Sequence, residues 1–191
     1  MTVDRGRVEA AVAELLAAIG EDSTRPGLVD TPRRVAEAYG EYFAGVGVDA
    51  VEILRAGKDA AAADERGELV LIRDLEFRSM CEHHLLPFRG VAHVAYVPNE
   101  KLVGLGRIAS VVETLAARPQ LQERLTEQIA DAMEAGLAPL GVLVVLDAQH
   151  DCVAARGPRQ IRSTTVTVAS RGALTDPLAR AEAMVLIGAV E

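Results

Sequence analysis

Tryptophan is absent from this chain, and aromatic side chains are scarce, with three Phe and three Tyr among 191 residues. Half of the residues are nevertheless apolar. A hydrophobic core therefore has to be built from Ala, Val, Leu and Ile. The length is sufficient for one domain with a sizeable core, preceded by an N-terminal extension.

A basic excess is also absent, because the net charge is −8. This charge argues against a general nucleic-acid binder or a protein of acidic membrane surfaces, so any anionic ligand has to be met by a local cluster of Arg. The sequence does not begin with basic residues followed by an apolar run, so we expect no signal peptide. No stretch is apolar for long enough to span a bilayer. We expect a cytoplasmic protein with no nucleic-acid or membrane partner.

Cysteine and histidine are few, two and four respectively, and they are concentrated. Cys81, His83 and His84 fall within four residues, and His150 and Cys152 form a second group. In a reducing compartment two cysteines are more often metal thiolates than a disulfide. A turn can fold Cys81 and His84 onto one ion, and Cys152 can supply a third ligand. Cys, His and Cys with an open fourth position are typical of a catalytic zinc site.

Three protein ligands leave room for a water molecule, whose pKa zinc lowers to about 7, so the pattern indicates hydrolytic chemistry. His83 and His150 then remain as imidazoles beside the ligands, suited to moving protons. If 150–152 is extended, His150 and Cys152 point to one face. Other interpretations remain open: the cysteines as small buried apolar residues, or a closed structural site with a fourth ligand from His83, His150, His93 or a carboxylate.

Periodicity predicts an α+β protein. Helices are expected over Val3 to Ile19, from Asp30-Thr31-Pro32 onward, from Gly104 through Leu115, from Gln120 to about Leu137, and after Asp176-Pro177. Strands are expected over 68–77, 91–97, 142–146 and 161–170, and a mobile loop over 56–67. The Cys81 group then lies at a bend between two strands, His93 is a structural residue in mid-strand, and short bends favour antiparallel pairing.

Three segments together resemble the GTP cyclohydrolase I family. They are Ser79 to Phe88, Arg118 to Thr126, and His150-Asp151-Cys152 with Arg156-Gly157. The resemblance runs from about Asp30 to about Leu174. It implies the tunnelling fold, an antiparallel sheet with two long antiparallel helices on one side, plus N-terminal helices. On this basis we expect a helical region over 1–50 and a catalytic domain over 51–191.

The resemblance also implies an assembly and a set of roles. The expected assembly is a decamer of two pentamers, with active sites between subunits. The expected reaction is hydrolysis of GTP at C8 with release of formate, yielding 7,8-dihydroneopterin triphosphate. The implied roles are zinc ligands for Cys81, His84 and Cys152, proton transfer for His83 and His150, guanine recognition for Gln122 and Glu123, and triphosphate binding for Arg34, Arg107 and Arg156.

The chain departs from the family pattern near the phosphates. Family members usually show Gly-Leu-Ser-Lys and a further Arg, where this chain has Gly104-Leu105-Gly106-Arg107 and then Ser110. Glu37 also stands where a base is common. These departures support the hypothesis of a divergent paralogue that acts on another purine nucleotide or stops at an earlier intermediate. Two further alternatives are a non-catalytic homologue and a related nitrile reductase that works without zinc.

Overall fold

The computed structural model describes residues 3–56, 68–99 and 102–188. Its helices are α1 (Arg5–Ala18), α2 (Thr31–Tyr42), α3 (Ala50–Arg55), α4 (Leu105–Ala116), α5 (Gln122–Leu137), α6 (Asp151–Ala154) and α7 (Pro177–Gly188), with a short 3-10 helix at Ala173–Thr175. Its strands are β1 (Val70–Cys81), β2 (Pro87–Val97), β3 (Pro119–Gln120), β4 (Gly141–His150) and β5 (Thr165–Gly172). Among these residues no helix combines the length and the apolarity needed to cross a membrane.

Within the described residues the strands form one sheet in the order β3-β1-β2-β4-β5. The pairs β1–β2, β2–β4 and β4–β5 are antiparallel. The predicted α+β class is therefore confirmed. Antiparallel pairing was predicted, and the described sheet departs from it at one edge, where two-residue β3 runs parallel to the end of β1.

The core lies mainly between the sheet and the two long helices. Alternate residues of β4, such as Val144 and Leu146, pack with residues of α4 and α5, while Leu143 and Val145 pack on the other face with the α7 region. This alternation follows from the two-residue period of a strand. The core is mostly aliphatic, with Phe77, Phe88 and Tyr96 also buried in it, and burying each large aliphatic side chain contributes about 1.5–3 kcal/mol. The long helices thus lie on one side of the sheet, as predicted.

The N-terminal helices differ in where they pack. α1 and α2 pack against each other, whereas α3 packs against α4 and α5. Asp30 precedes α2 and Pro32 lies in its first turn, which confirms the predicted start of this helix. The division into residues 1–50 and 51–191 stays a prediction.

Several predicted boundaries are wrong. β1 extends to Cys81 rather than ending at residue 77, because its last residues pair with β2 and with β3. The strand predicted from 161 begins at Thr165. The helix predicted from Gln120 begins at Gln122, since Gln120 is held in β3. The predicted loop over 56–67 lies outside the described residues except for Ala56.

The condition that 150–152 is extended, under which His150 and Cys152 would share a strand face, is not met. The β2–β4 ladder ends where Phe88 pairs with His150, and residues 151–154 then form the single turn α6. Ala155 N–H donates to the Asp151 carbonyl at 2.9 Å, which closes this turn. His150 and Cys152 are therefore related by a helical turn rather than by the two-residue period of a strand.

Candidate metal centre and active site

The first half of the candidate site is the bend between β1 and β2. Cys81 N–H donates to the Leu86 carbonyl at 2.9 Å, and the Cys81 carbonyl accepts from Leu85 N–H at 2.8 Å. Leu85 takes a left-handed conformation with φ of 50°, which lets the chain reverse in so few residues. The bend brings His84 back over Cys81, with 4.0 Å between the Cys81 Sγ and the His84 Nδ1.

The sheet register supplies the second half. Phe88 of β2 pairs with Ser79 of β1 on one side and with His150 of β4 on the other. The end of β1 and the end of β4 therefore lie at the same end of the sheet. α6 then places Cys152 so that one donor atom from each of Cys81, His84 and Cys152 lies within 4.8 Å of the others. Both cysteines are free thiols.

The donor set fits a zinc ion. Zn–S and Zn–N bonds of about 2.3 and 2.0–2.1 Å put ligand atoms on one tetrahedral ion about 3.5–4 Å apart, close to the spacing in this cluster. Burial raises the pKa of the Cys152 thiol, and the neighbouring Cys81 raises that pKa further. A thiol whose ionisation is disfavoured in this way is one that a neighbouring cation would convert to a thiolate.

His150 lies beside the cluster with its ring orientation fixed. The ring stacks on Phe88, with centroids 4.6 Å apart and planes 6° from parallel. The ring Nε2 lies 2.6 Å from the Gln122 Oε1. Burial lowers the pKa of His150, and the nearby Glu123 charge opposes that shift. This environment keeps the imidazole neutral and able to accept a proton.

Gln122 and Glu123 begin α5 but have opposite surroundings. Gln122 is 1% exposed. Its Nε2 donates to the carbonyls of Leu146 (3.2 Å) and Thr165 (2.7 Å) and to the Thr167 hydroxyl (3.1 Å). Glu123 is exposed in the first turn and close enough to His150 to act on its charge. Of the two predicted guanine readers, only Glu123 presents its side chain to solvent.

His83 and the three predicted phosphate-binding arginines are more dispersed. His83 is exposed on the bend, its ring centroid 6.2 Å from that of His84. Arg156 follows α6, and its charge acts on Cys152. Arg34 on α2 contacts Asp30 at 3.5 Å, and the Arg107 Nη1 donates to the Ile53 carbonyl at 2.9 Å. Of these arginines, the electrostatic interactions connect Arg156 directly with the cluster.

The sequence did not predict the ion pair between Glu82 and Arg124. Arg124 of α5 donates to both carboxylate oxygens of Glu82 on the bend, at 2.5 and 3.1 Å. The guanidinium lowers the pKa of the Glu82 carboxyl. Glu82 N–H also donates to the Gln120 carbonyl at 3.0 Å. The bend is therefore attached to the start of α5 by its backbone and by a side chain.

Fold and site together define a class: an α+β protein with a free Cys/His/Cys cluster at one end of its sheet and a fixed histidine beside it. Comparison with known families makes the class specific, because the model of the GTP cyclohydrolase I family matches residues 8–188. The chain belongs to the GTP cyclohydrolase I family, a family of hydrolases. The α+β tunnelling fold expected for this family is the fold described above.

Curated relatives match over nearly the whole chain. GTP cyclohydrolase 1 of Leifsonia xyli subsp. xyli is 62% identical over 185 residues, covering 97% of this chain and 96% of that protein. GTP cyclohydrolase 1 of Carboxydothermus hydrogenoformans is 53% identical, again covering 97% and 96%. Among solved structures, the archaeosine synthase QueF-Like in the apo form is similar, with a TM-score of 0.48 and 18% identity, over 56% of this chain and 97% of that one.

Proposed function

We propose that this chain is a zinc-dependent enzyme that hydrolyses the purine ring of GTP at C8, releases formate and yields 7,8-dihydroneopterin triphosphate. The observation that carries the proposal is the convergence of Cys81, His84 and Cys152 within 4.8 Å, next to His150. The names of the relatives support the substrate, since several are GTP cyclohydrolase 1 enzymes with near-complete overlap.

Cys81, His84 and Cys152 would hold the zinc ion. With three protein ligands, such an ion acts as a Lewis acid and lowers the pKa of water to about 7. The chain itself contributes the position of these ligands, since the bend and α6 are each closed by backbone hydrogen bonds. Partial burial of Cys81 and Cys152 also limits water at the reacting centre.

His150 and His83 would move the protons of the reaction. His150 is fixed by Phe88 and Gln122, and its pKa is lowered by burial, so it is available as a base at neutral pH. His83 is exposed on the bend, where it has freedom to reach a bound nucleotide. A positioned acid or base of this kind contributes about 10²–10⁴-fold to a rate.

Glu123 would read the guanine. An ionised carboxylate only accepts hydrogen bonds, and the guanine edge offers a ring N–H and an amino group as donors. Glu123 is exposed in the first helical turn and close to His150. A guanine bound to Glu123 would therefore lie next to the proposed proton-transfer residue. Hydrogen bonds to a charged acceptor contribute about 1.5–3 kcal/mol each.

The triphosphate would be bound by Arg34, Arg107 and Arg156. Arg156 acts on the cluster within the single chain, whereas Arg34 belongs to α2, which packs with α1. Active sites between subunits would bring arginines of more than one chain to one nucleotide. Arg suits this task because its planar guanidinium binds two phosphate oxygens at once.

The proposed assembly is a decamer of two pentamers. Among the described strands, β5 is one of the two edge strands of the sheet and pairs only with β4. It carries the exposed residues Val166 and Val168, and an uncovered apolar edge strand is a surface that pairs with another chain. Ring closure through such edges would remove this exposure.

The test is incubation of the purified protein with GTP, GDP and GMP, followed by mass analysis of the products and measurement of formate. We expect GTP to be consumed with one formate per dihydroneopterin triphosphate. Preference for another nucleotide or accumulation of a ring-opened intermediate would support the divergent paralogue, which the departures at Gly106 and Ser110 favour. Absence of formate from all three nucleotides would contradict the proposal.

A further inference from the structure

Gln122 is one of the most completely enclosed polar side chains near the site. Its amide makes four hydrogen-bond contacts, all with protein atoms: two backbone carbonyls, the Thr167 hydroxyl and His150. With 1% exposure and these contacts made, the amide has little surface to offer a nucleotide. Its contacts point to another task.

The orientation of the amide follows from its partners. Carbonyl oxygens only accept hydrogen bonds, so the atom of Gln122 that faces Leu146 and Thr165 has to be the amino group. The remaining amide atom, the oxygen, therefore faces His150 at 2.6 Å. An amide oxygen carries no hydrogen, so His150 Nε2 has to donate.

We infer that Gln122 is a positioning residue, which keeps the hydrogen of His150 on Nε2 and leaves Nδ1 without one. Phe88 holds the ring by stacking, and Gln122 holds its Nε2 by a hydrogen bond. This inference rests on the proposed role of His150 in the reaction.

The hydrogen bonds of Gln122 continue to residues further from the site. The Thr167 hydroxyl contacts Gln122 at 3.1 Å and the Thr126 hydroxyl at 2.6 Å, and Thr126 lies one turn along α5. Thr165 and Thr167 belong to β5, and Leu146 belongs to β4. The orientation of His150 is thus determined jointly by α5, β4 and β5.

The kinetic test uses Gln122→Met, which keeps the buried volume but removes the amide. We expect kcat for GTP to fall by about 10²-fold, the lower range for one acid or base, with KM changed by less than about threefold. Thr167→Val, which is isosteric and lies behind Gln122, should lower kcat by a smaller factor with the same unchanged KM. Glu134→Gln, a change at an exposed position of α5, is the control and should retain wild-type kcat.

A second measurement reports on His150 without turnover. In zinc-loaded protein labelled with ¹⁵N-histidine, the His150 signals, assigned by their loss in His150→Ala, should show Nε2 protonated and Nδ1 unprotonated at neutral pH. In Gln122→Met this single state should be lost. If GTP is not turned over at all, the proposed function fails, yet the nitrogen signals still test the tautomer.

Two results would overturn the inference. One is a wild-type His150 with its hydrogen on Nδ1. The other is a Gln122→Met protein in which KM for GTP rises while kcat is retained, which is the behaviour of a guanine-reading residue. Wild-type zinc content and assembly in each variant establish that it is folded, and Thr167→Val keeps the test open if Gln122→Met does not fold.

Discussion

At the scale of single residues, Gln122 and Glu123 are neighbours on α5 but differ in solvent exposure, and we expect them to have different roles. Gln122 points inward and holds His150, while Glu123 is exposed in the first turn of the helix. A carboxylate in the first turn of a helix interacts favourably with the helix dipole. Recognition of guanine is therefore expected to depend on the charge of Glu123.

Glu123→Gln should raise KM for GTP by about 10- to 100-fold, because it replaces a charged acceptor with a neutral one. Discrimination between GTP and inosine triphosphate, which lacks the 2-amino group, should shrink as well. Steady-state kinetics with both nucleotides measure the effect. Glu127→Gln, one turn further along and paired with Arg171, is the matched control and should leave KM unchanged. Equal KM values in the two variants would exclude Glu123 from guanine recognition.

The composition of the cluster was predictable at this scale because the sequence concentrates its few soft ligands in two short groups. The contacts of Gln122 were not predictable, since its partners Leu146, Thr165 and Thr167 come from strands 24 to 45 residues away. Phe88 belongs to the segment Ser79 to Phe88 that carries the family resemblance. Its stacking on His150, however, depends on the β2–β4 register. Local patterns carry no information about such long-range pairs.

At the scale of elements, the Glu82–Arg124 pair connects the bend that carries Cys81 and His84 to the helix that carries Gln122 and Glu123. Both side chains are partly exposed, so the pair contributes little to global stability once solvent screening is considered. Its effect is local, because Glu82 is adjacent to Cys81 and its backbone N–H is bound to Gln120.

Glu82→Gln should weaken zinc binding by about 10-fold, the lower range for groups that orient metal ligands. Competition with a chromophoric chelator measures the affinity. The exchange of charges in Glu82→Arg with Arg124→Glu should recover part of the loss, whereas Glu127→Gln breaks a comparable ion pair on α5 and should bind zinc normally. Wild-type zinc affinity in Glu82→Gln would show that the pair does not position the bend.

Gly90 lies in β2 where the neighbouring strand comes very close. A Cβ at this position would meet the Asp147 carbonyl oxygen at 1.9 Å, and both groups are backbone-anchored. Gly90→Ala should therefore destabilise the fold by about 1–3 kcal/mol, lowering Tm by several degrees in a thermal melt. Gly106→Ala, in open space on α4, should not lower Tm. A Tm unchanged by Gly90→Ala would contradict the β2–β4 register.

The long elements were predictable from their periodicity, and the short ones were not. α3 has six residues, β3 two and α6 four, so each is too short for a repeating apolar pattern. These short elements matter to the site. β3 anchors the bend at Cys81, and α6 brings Cys152 to it.

At the scale of the whole molecule, exposed apolar residues on β5 and α7 indicate surfaces for further chains. Val166 and Val168 on β5 and Leu178 and Val185 on α7 are between 44% and 70% exposed. If rings form as proposed, light scattering of the purified protein should give a mass about ten times the 20.3 kDa of one chain. Val168→Asp should shift the mass to smaller species with lower activity. A fully active wild-type monomer would contradict sites shared between subunits.

We propose that the cluster of Cys81, His84 and Cys152 holds a zinc ion on which hydrolysis of GTP depends. The most direct measurement is formate release from GTP while zinc is returned stepwise to metal-free protein. Formate production should rise in proportion to bound zinc and saturate at about one zinc per chain, the stoichiometry of one three-ligand site, and Cys152→Ala should show no such rise. Formate release at the full rate by metal-free protein would contradict the proposed dependence of hydrolysis on zinc.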